Sequence, residues 1–136
     1  MSKQIDVRSY QDFVEELSSP QSVDLTHLIA ALDALDDTAL VNVPRLLTAA
    51  IGMCGEVGEF DDIVKKIVFQ GKVLDQDVKN HLIKELGDIF WYVYQACSAL
   101  QIDALSVMQM NHDKLRARYE GGFSVQSSEV RKTGDI

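Results

Sequence analysis

Apolar residues recur through the middle of the chain at alternating intervals of four and three. Leu46, Ala50, Met53, Val57, Phe60, Val64 and Ile67 form one such series between Pro44 and about Phe69. A heptad-like seam of this length predicts one long α-helix. Gln70-Gly71-Lys72 closes it, with glycine where a helix commonly stops. Asp75 or Asp77 then caps a second long helix, in which Leu82, Leu86, Ile89, Val93, Ala96 and Leu100 repeat the alternation. Two long helices joined by a few residues run antiparallel, so the pattern builds a helical hairpin.

Shorter helices flank the hairpin. Ser9 to Leu17 places Tyr10, Phe13, Val14 and Leu17 on one face, and Ser18-Ser19-Pro20-Gln21-Ser22 ends it. Asp24 to about Leu35 repeats Leu25, Leu28, Ile29, Leu32 and Leu35 at helical spacing. After the hairpin, Asp103 caps a helix from Ala104 to about Tyr119, with Leu105, Met108, Leu115 and Tyr119 as its packing residues. Residues 124–136 are polar apart from Val125, Val130 and Ile136 and read as an irregular tail. No strand alternation or internal repeat occurs. The chain reads as all-α, a single domain over 1–136. A first long helix of about 26 residues spans about 39 Å, and Leu47, Cys54 and Val68 lie beside its seam. Short helices leave such a surface poorly covered. The expectation is a homo-oligomer, a dimer at least, in which hairpins from two chains form a four-helix-bundle-like core.

Composition narrows the class. Hydrophobic residues at 46% and charged residues at 25% exclude general disorder. The formal net charge is -8, from 21 acidic residues against 13 lysines and arginines. A nucleic-acid polymer is therefore a disfavoured partner, because backbone binding needs a basic surface. No apolar run approaches a membrane span, and Met1 to Asp6 lacks a signal-peptide pattern, which reads as cytoplasmic. Cys54 and Cys97 have no metal-ligand spacing and are expected as buried, reduced thiols.

The candidate chemistry lies on the hairpin. Glu56 and Glu59 are three residues apart, as are Glu85 and Asp88. On facing antiparallel helices the two pairs place four carboxylates around one small volume. Such a cluster repels itself unless divalent metal ions neutralise it, and an all-oxygen set suits Mg²⁺ or Mn²⁺ rather than Zn²⁺. Gly52, Gly55 and Gly58 each cost about 1 kcal/mol relative to Ala inside a helix, so something approaches that flank closely: a packed helix, or a ligand. At 100° per residue, Lys66 lies about 20° from Glu59 and Lys65 about 120° away. His81, Tyr92 and Gln95 share a side of the second helix with Glu85 and Asp88. Asn111, Lys114 and Arg118 make a polar and cationic stripe on the last helix. Phe69, Trp91 and Tyr92 are either core or base-stacking residues.

Gly55-Glu56-Val57-Gly58-Glu59, Lys65-Lys66, Glu85-Leu86-Gly87-Asp88-Ile89-Phe90-Trp91-Tyr92, Asn111, Lys114-Leu115 and Arg118-Tyr119 together resemble the MazG-like nucleoside triphosphate pyrophosphohydrolases, in particular the small single-domain members that include bacteriophage proteins. The resemblance covers about Leu46 to Phe123. It implies an all-α NTP pyrophosphatase fold assembled as a dimer or tetramer. It also implies Mg²⁺-dependent hydrolysis of a nucleoside triphosphate, possibly deoxy, to the monophosphate and pyrophosphate. Glu56, Glu59, Glu85 and Asp88 are then metal ligands, with Glu56 or Glu59 activating water. Lys66 contacts phosphates, and Asn111, Lys114 and Arg118 complete the nucleotide site. Where the family often has Pro after Arg-Tyr, this chain has Glu120, and its segment from Gln21 to Asn42 is longer than in minimal relatives.

Two rivals remain. A di-iron or di-manganese carboxylate bundle needs Glu-x-x-His motifs, and none of His27, His81 and His112 follows a glutamate by three. A non-catalytic helical interaction module would use the seams for oligomerisation alone and leave the acidic pairs as surface.

Overall fold

A computed structural model describes residues 6–130, and every regular element among them is an α-helix. They fall into two compact units, one up to Val43 and one from Pro44 on. The first holds α1 (Val7–Leu17), α2 (Pro20–Val23) and α3 (Leu25–Asp36). α1 starts earlier than the apolar pattern suggests because Asp6 and Ser9 form a capping box. The Ser9 N–H donates to the Asp6 carboxylate at 2.8 Å, and the Asp6 N–H donates to the Ser9 hydroxyl oxygen at 3.0 Å. The Ser18–Ser22 segment contains a single extra turn, α2, started by Pro20 at a position where proline costs no hydrogen bond. Asp24 caps α3 by accepting from the His27 N–H at 3.0 Å. α2 packs on α3, whereas the apolar face of α1 at Tyr10, Phe13, Val14 and Leu17 stays exposed.

The second unit is built on the hairpin of α4 (Val43–Gln70) and α5 (Gln76–Ala99), followed by α6 (Ala104–Arg118) and α7 (Val125–Glu129). α4 has 28 residues and is therefore about 42 Å long. Of the two aspartates before α5, Asp75 is the cap, accepting from the Val78 N–H at 2.9 Å. Asp77 sits in the first turn, where its charge favours the helix dipole. Asp103 caps α6 through the Ser106 N–H at 2.9 Å.

The stretch from 124 is not irregular throughout. The Ser127 N–H donates to the Ser124 hydroxyl oxygen at 3.1 Å, and this cap starts α7 despite the polar sequence. Residues 131–136 of the expected tail, and residues 1–5 of the N-terminal stretch that lacks a signal-peptide pattern, lie outside the described residues. After Glu120 the chain turns through left-handed Gly122, whose N–H donates to the Tyr119 carbonyl oxygen at 2.9 Å. The Tyr119 and Phe123 rings then meet with centroids 5.6 Å apart.

The line along which α4 meets α5 is not the apolar seam. Gly52 lies under the Tyr92 ring of α5, while Glu56 and Glu59 further along α4 meet Glu85. Positions rise along one helix as they fall along the other, so the pair is antiparallel. Ala49 and Ile63 on α4, with Val78, Glu85, Cys97 and Ala99 on α5, are buried. Ala49, Gly52, Glu56, Glu59 and Ile63 therefore make one stripe at helical spacing. Gly52 in this stripe leaves room for the Tyr92 ring. The heptad seams lie one residue to the side, where Val57, Leu86 and Leu100 are exposed and Leu46, Met53, Phe60, Val64, Ile67, Leu82, Ile89 and Val93 are half-buried. No large side chain among the described residues is fully buried.

Candidate active site

One carboxylate oxygen from each of Glu56, Glu59 and Glu85 lies within 4.8 Å of the other two. Glu85 is buried, Glu56 half-buried and Glu59 exposed, so the group spans the wall of the hairpin from its interior to solvent. Asp88 stands outside this trio but close enough for its charge to act on Glu56. A buried carboxylate needs a partner, and Glu85 has one in His81, whose Nε2 is 2.9 Å from its Oε1. His81 sits one turn earlier on α5, on the same face.

A cleft of about 420 Å³ opens beside the trio. Glu59 and Glu85 line one part of it, and Asp62, Lys66, Lys72 and His81 line the remainder. Gly55 and Gly58 form its floor, and nothing lies within 4 Å of where their Cβ atoms would be. The glycines thus divide: Gly52 makes room for a packed helix, whereas Gly55 and Gly58 keep a surface low beside the carboxylates. Lys66 lines the cleft and Lys65 does not, as their angles from Glu59 indicate.

Asp62 organises both lysines. Its carboxylate pairs with the Lys65 and Lys66 ammonium groups, at i,i+3 and i,i+4. Hydrogen bonds from Lys65 and Lys66 hold its pKa down to about 2 from 3.8, so it is an anion at any working pH. Asp62 is not among the residues expected from the sequence, although the spacing Asp62-x-x-Lys65-Lys66 carries its signal.

The last helix contributes elsewhere. Asn111 and Lys114 line a separate, more apolar cleft of about 680 Å³ with Leu100, Ile102, Val107 and Met110. Arg118 lines a third of about 190 Å³ with Gln126, Ser127 and Val130. The chain by itself does not bring these three residues to the carboxylates. Trp91 and Phe69 are exposed rather than core. Cys97 is buried as expected, but Cys54 is exposed, because it projects from α4 opposite the stripe that meets α5.

The donor set fits a hard divalent cation. It is all oxygen, clustered, anionic and reachable from solvent, and no cysteine belongs to it. Electrostatics agrees: burial raises the Glu56 pKa above 4.5, and the charges of Glu59, Asp88 and Glu85 raise it further. A carboxyl with a raised folded pKa stabilises the fold at low pH, and that contribution is lost as pH rises through the folded value. Metal-free protein therefore carries uncompensated repulsion at neutral pH. In a carbon-detected NMR titration of metal-free protein, the Glu56 carboxyl is expected to titrate above 4.5 and to move back down in Glu59→Gln. Mg²⁺ is expected to raise the melting temperature more at pH 8 than at pH 5. An unshifted Glu56 midpoint would contradict the clustering.

The MazG nucleotide pyrophosphohydrolase domain matches residues 46–123. The Gene 37 protein of Mycobacterium phage L5 is 33% identical over 106 residues, covering 72% of this chain and 93% of the phage protein. No solved structure matches the chain. No helix among the described residues is long and apolar enough to cross a membrane.

Proposed function

This chain belongs to the MazG nucleotide pyrophosphohydrolase family, and on that premise we propose that it hydrolyses a nucleoside triphosphate, ribo or deoxy, to the monophosphate and pyrophosphate. The observation that carries this reading is the trio of carboxylate oxygens beside a lysine-lined cleft. Glu56, Glu59 and Glu85, with Asp88, would hold Mg²⁺, with Mn²⁺ able to substitute. When bound, the metal neutralises the triphosphate and stabilises the charge that develops on the leaving pyrophosphate.

The chain's own residues supply the rest. Glu56 or Glu59 orients the attacking water and accepts its proton. Glu85, held by His81, keeps its carboxylate fixed inside the hairpin. Lys66 donates to phosphate oxygens, and Asp62 keeps its ammonium group in the cleft until they arrive. Asn111, Lys114 and Arg118 would complete the nucleotide site from a second copy. The exposed and half-buried seams of α4 and α5 suit that homo-oligomer, a dimer or tetramer with paired hairpins. The acidic net charge gives no support to a nucleic-acid polymer as substrate, and we assign the protein to the cytoplasm.

The test is an assay of purified protein with Mg²⁺ and a panel of ribo- and deoxynucleoside triphosphates, scoring each phosphate product separately. Monophosphate and pyrophosphate in equal amounts are expected. Orthophosphate with diphosphate would replace the reaction assigned here, and no turnover with Mg²⁺ or Mn²⁺ would leave an interaction module.

A further inference from the structure

Three lysines stand at the end of α4, and the structure treats them differently. Lys65 and Lys66 share one counter-ion, Asp62. Lys72 lines the carboxylate cleft, and no ion pair ties its ammonium group among the described residues. Its place is set by the backbone: Gly71 adopts φ +71° and turns the chain back at the helix end, and the Lys72 N–H donates to the Lys66 carbonyl oxygen at 3.0 Å. A left-handed residue here strongly favours glycine, so the turn that ends α4 also returns a cation to the cleft.

The charge lining the cleft changes along its length, with Ile63 as its one large apolar residue. Glu59 and Glu85, the latter paired with His81, mark its acidic part, and Lys66, seven residues or about 10 Å further along α4 and paired with Asp62, marks the other with Lys72. A ligand matching this sequence of charges would carry anionic oxygens at both ends, those at the acidic end compensated by the cation that the carboxylates would hold. An extended polyphosphate does so.

We infer that Lys72 contacts the terminal phosphate of the substrate, in the portion that departs as pyrophosphate. This rests on the pyrophosphohydrolase reading and adds a direction to it: the polyphosphate chain runs from the carboxylates toward the hairpin turn, with the nucleoside away from that turn. Lys66 must exchange Asp62 for phosphate, whereas Lys72 exchanges only water, so Lys72 supplies the larger net attraction.

Titration calorimetry of the full chain with Mg²⁺ present, using pyrophosphate and then the nucleoside monophosphate product as separate ligands, tests this. Lys72→Ala is expected to weaken pyrophosphate binding about tenfold, the size of one charge-assisted hydrogen bond, and to leave monophosphate binding unchanged. Lys72→Arg is expected to keep most of the affinity. Turnover is expected to show the loss mainly in KM. Lys72 is exposed, so these variants should melt as the parent does. Unchanged pyrophosphate binding in Lys72→Ala would overturn the inference while wild-type turnover preserved the reaction, and equal loss for both products would overturn the direction. Wild-type protein that binds neither product and turns over no triphosphate would remove the pyrophosphohydrolase reading itself.

Discussion

Glu59→Gln is expected to lower turnover by at least about 100-fold, the scale of losing one group that stabilises transition-state charge, while leaving the melting temperature of metal-free protein equal or higher. The two effects have one origin. Glu59, Glu56 and Glu85 bring carboxylate oxygens within 4.8 Å of one another, and removing one negative charge relieves repulsion that only a cation otherwise relieves. Glu59 is the member to change because it is the exposed one; Glu85 is buried, and its loss would leave His81 without its partner. Steady-state kinetics with Mg²⁺, beside melting curves with and without Mg²⁺, gives both readouts. The stabilisation by Mg²⁺ should shrink in the variant. Full activity in Glu59→Gln would remove the carboxylate cluster from the chemistry.

Gly52→Ala is expected to destabilise the protein by about 1–3 kcal/mol, the usual cost of forcing extra volume into a packed contact. The sign is informative, because the same change in an unobstructed helix gains about 1 kcal/mol. At Gly52 a Cβ would fall on the Tyr92 ring, whereas at Gly58 it would meet nothing within 4 Å. Gly58→Ala should accordingly melt at or above the wild-type temperature. Adding Tyr92→Ala to Gly52→Ala should recover part of the loss, since the two residues contact one another and their effects are coupled. Melting by circular dichroism decides. A Gly52→Ala variant as stable as Gly58→Ala would mean that the helices do not meet at this point.

Much of this architecture is written in local signals. Asp24, Asp75 and Asp103 each precede a helix and cap it, because a cap depends on a side chain and a backbone two or three residues away. Gly71 marks the end of α4 for the same reason. That Glu56 shares a face with Glu59, and Glu85 with Asp88, was legible because helical spacing fixes it, and the structure brings the first three of these carboxylates together.

What escaped required knowing which face is pressed against which. The apolar seams gave the helices but not the contact line, which falls one residue aside, on small and acidic positions. Hydrophobic periodicity reports which face is apolar, not which neighbour it meets. Gly52 and Gly58 look alike in sequence and differ only through Tyr92. Asp62 was overlooked because an acid before two lysines is an ordinary surface pattern until a cleft opens beside it. Lys72 lay beyond the helix, where angular arithmetic no longer applies.

The flanking seams bear on how stability itself is to be understood. Val57, Leu86 and Leu100 are exposed in the single chain, and no large apolar side chain among the described residues is wholly withdrawn from water. If second copies cover these surfaces, folding and association draw on the same apolar area, and the free energy of one cannot be stated without the concentration of the other. Dilution then acts as a denaturant. A measured midpoint belongs to a solution of given strength rather than to the chain alone, and inactivation on dilution would be a reversible shift in mass action rather than damage.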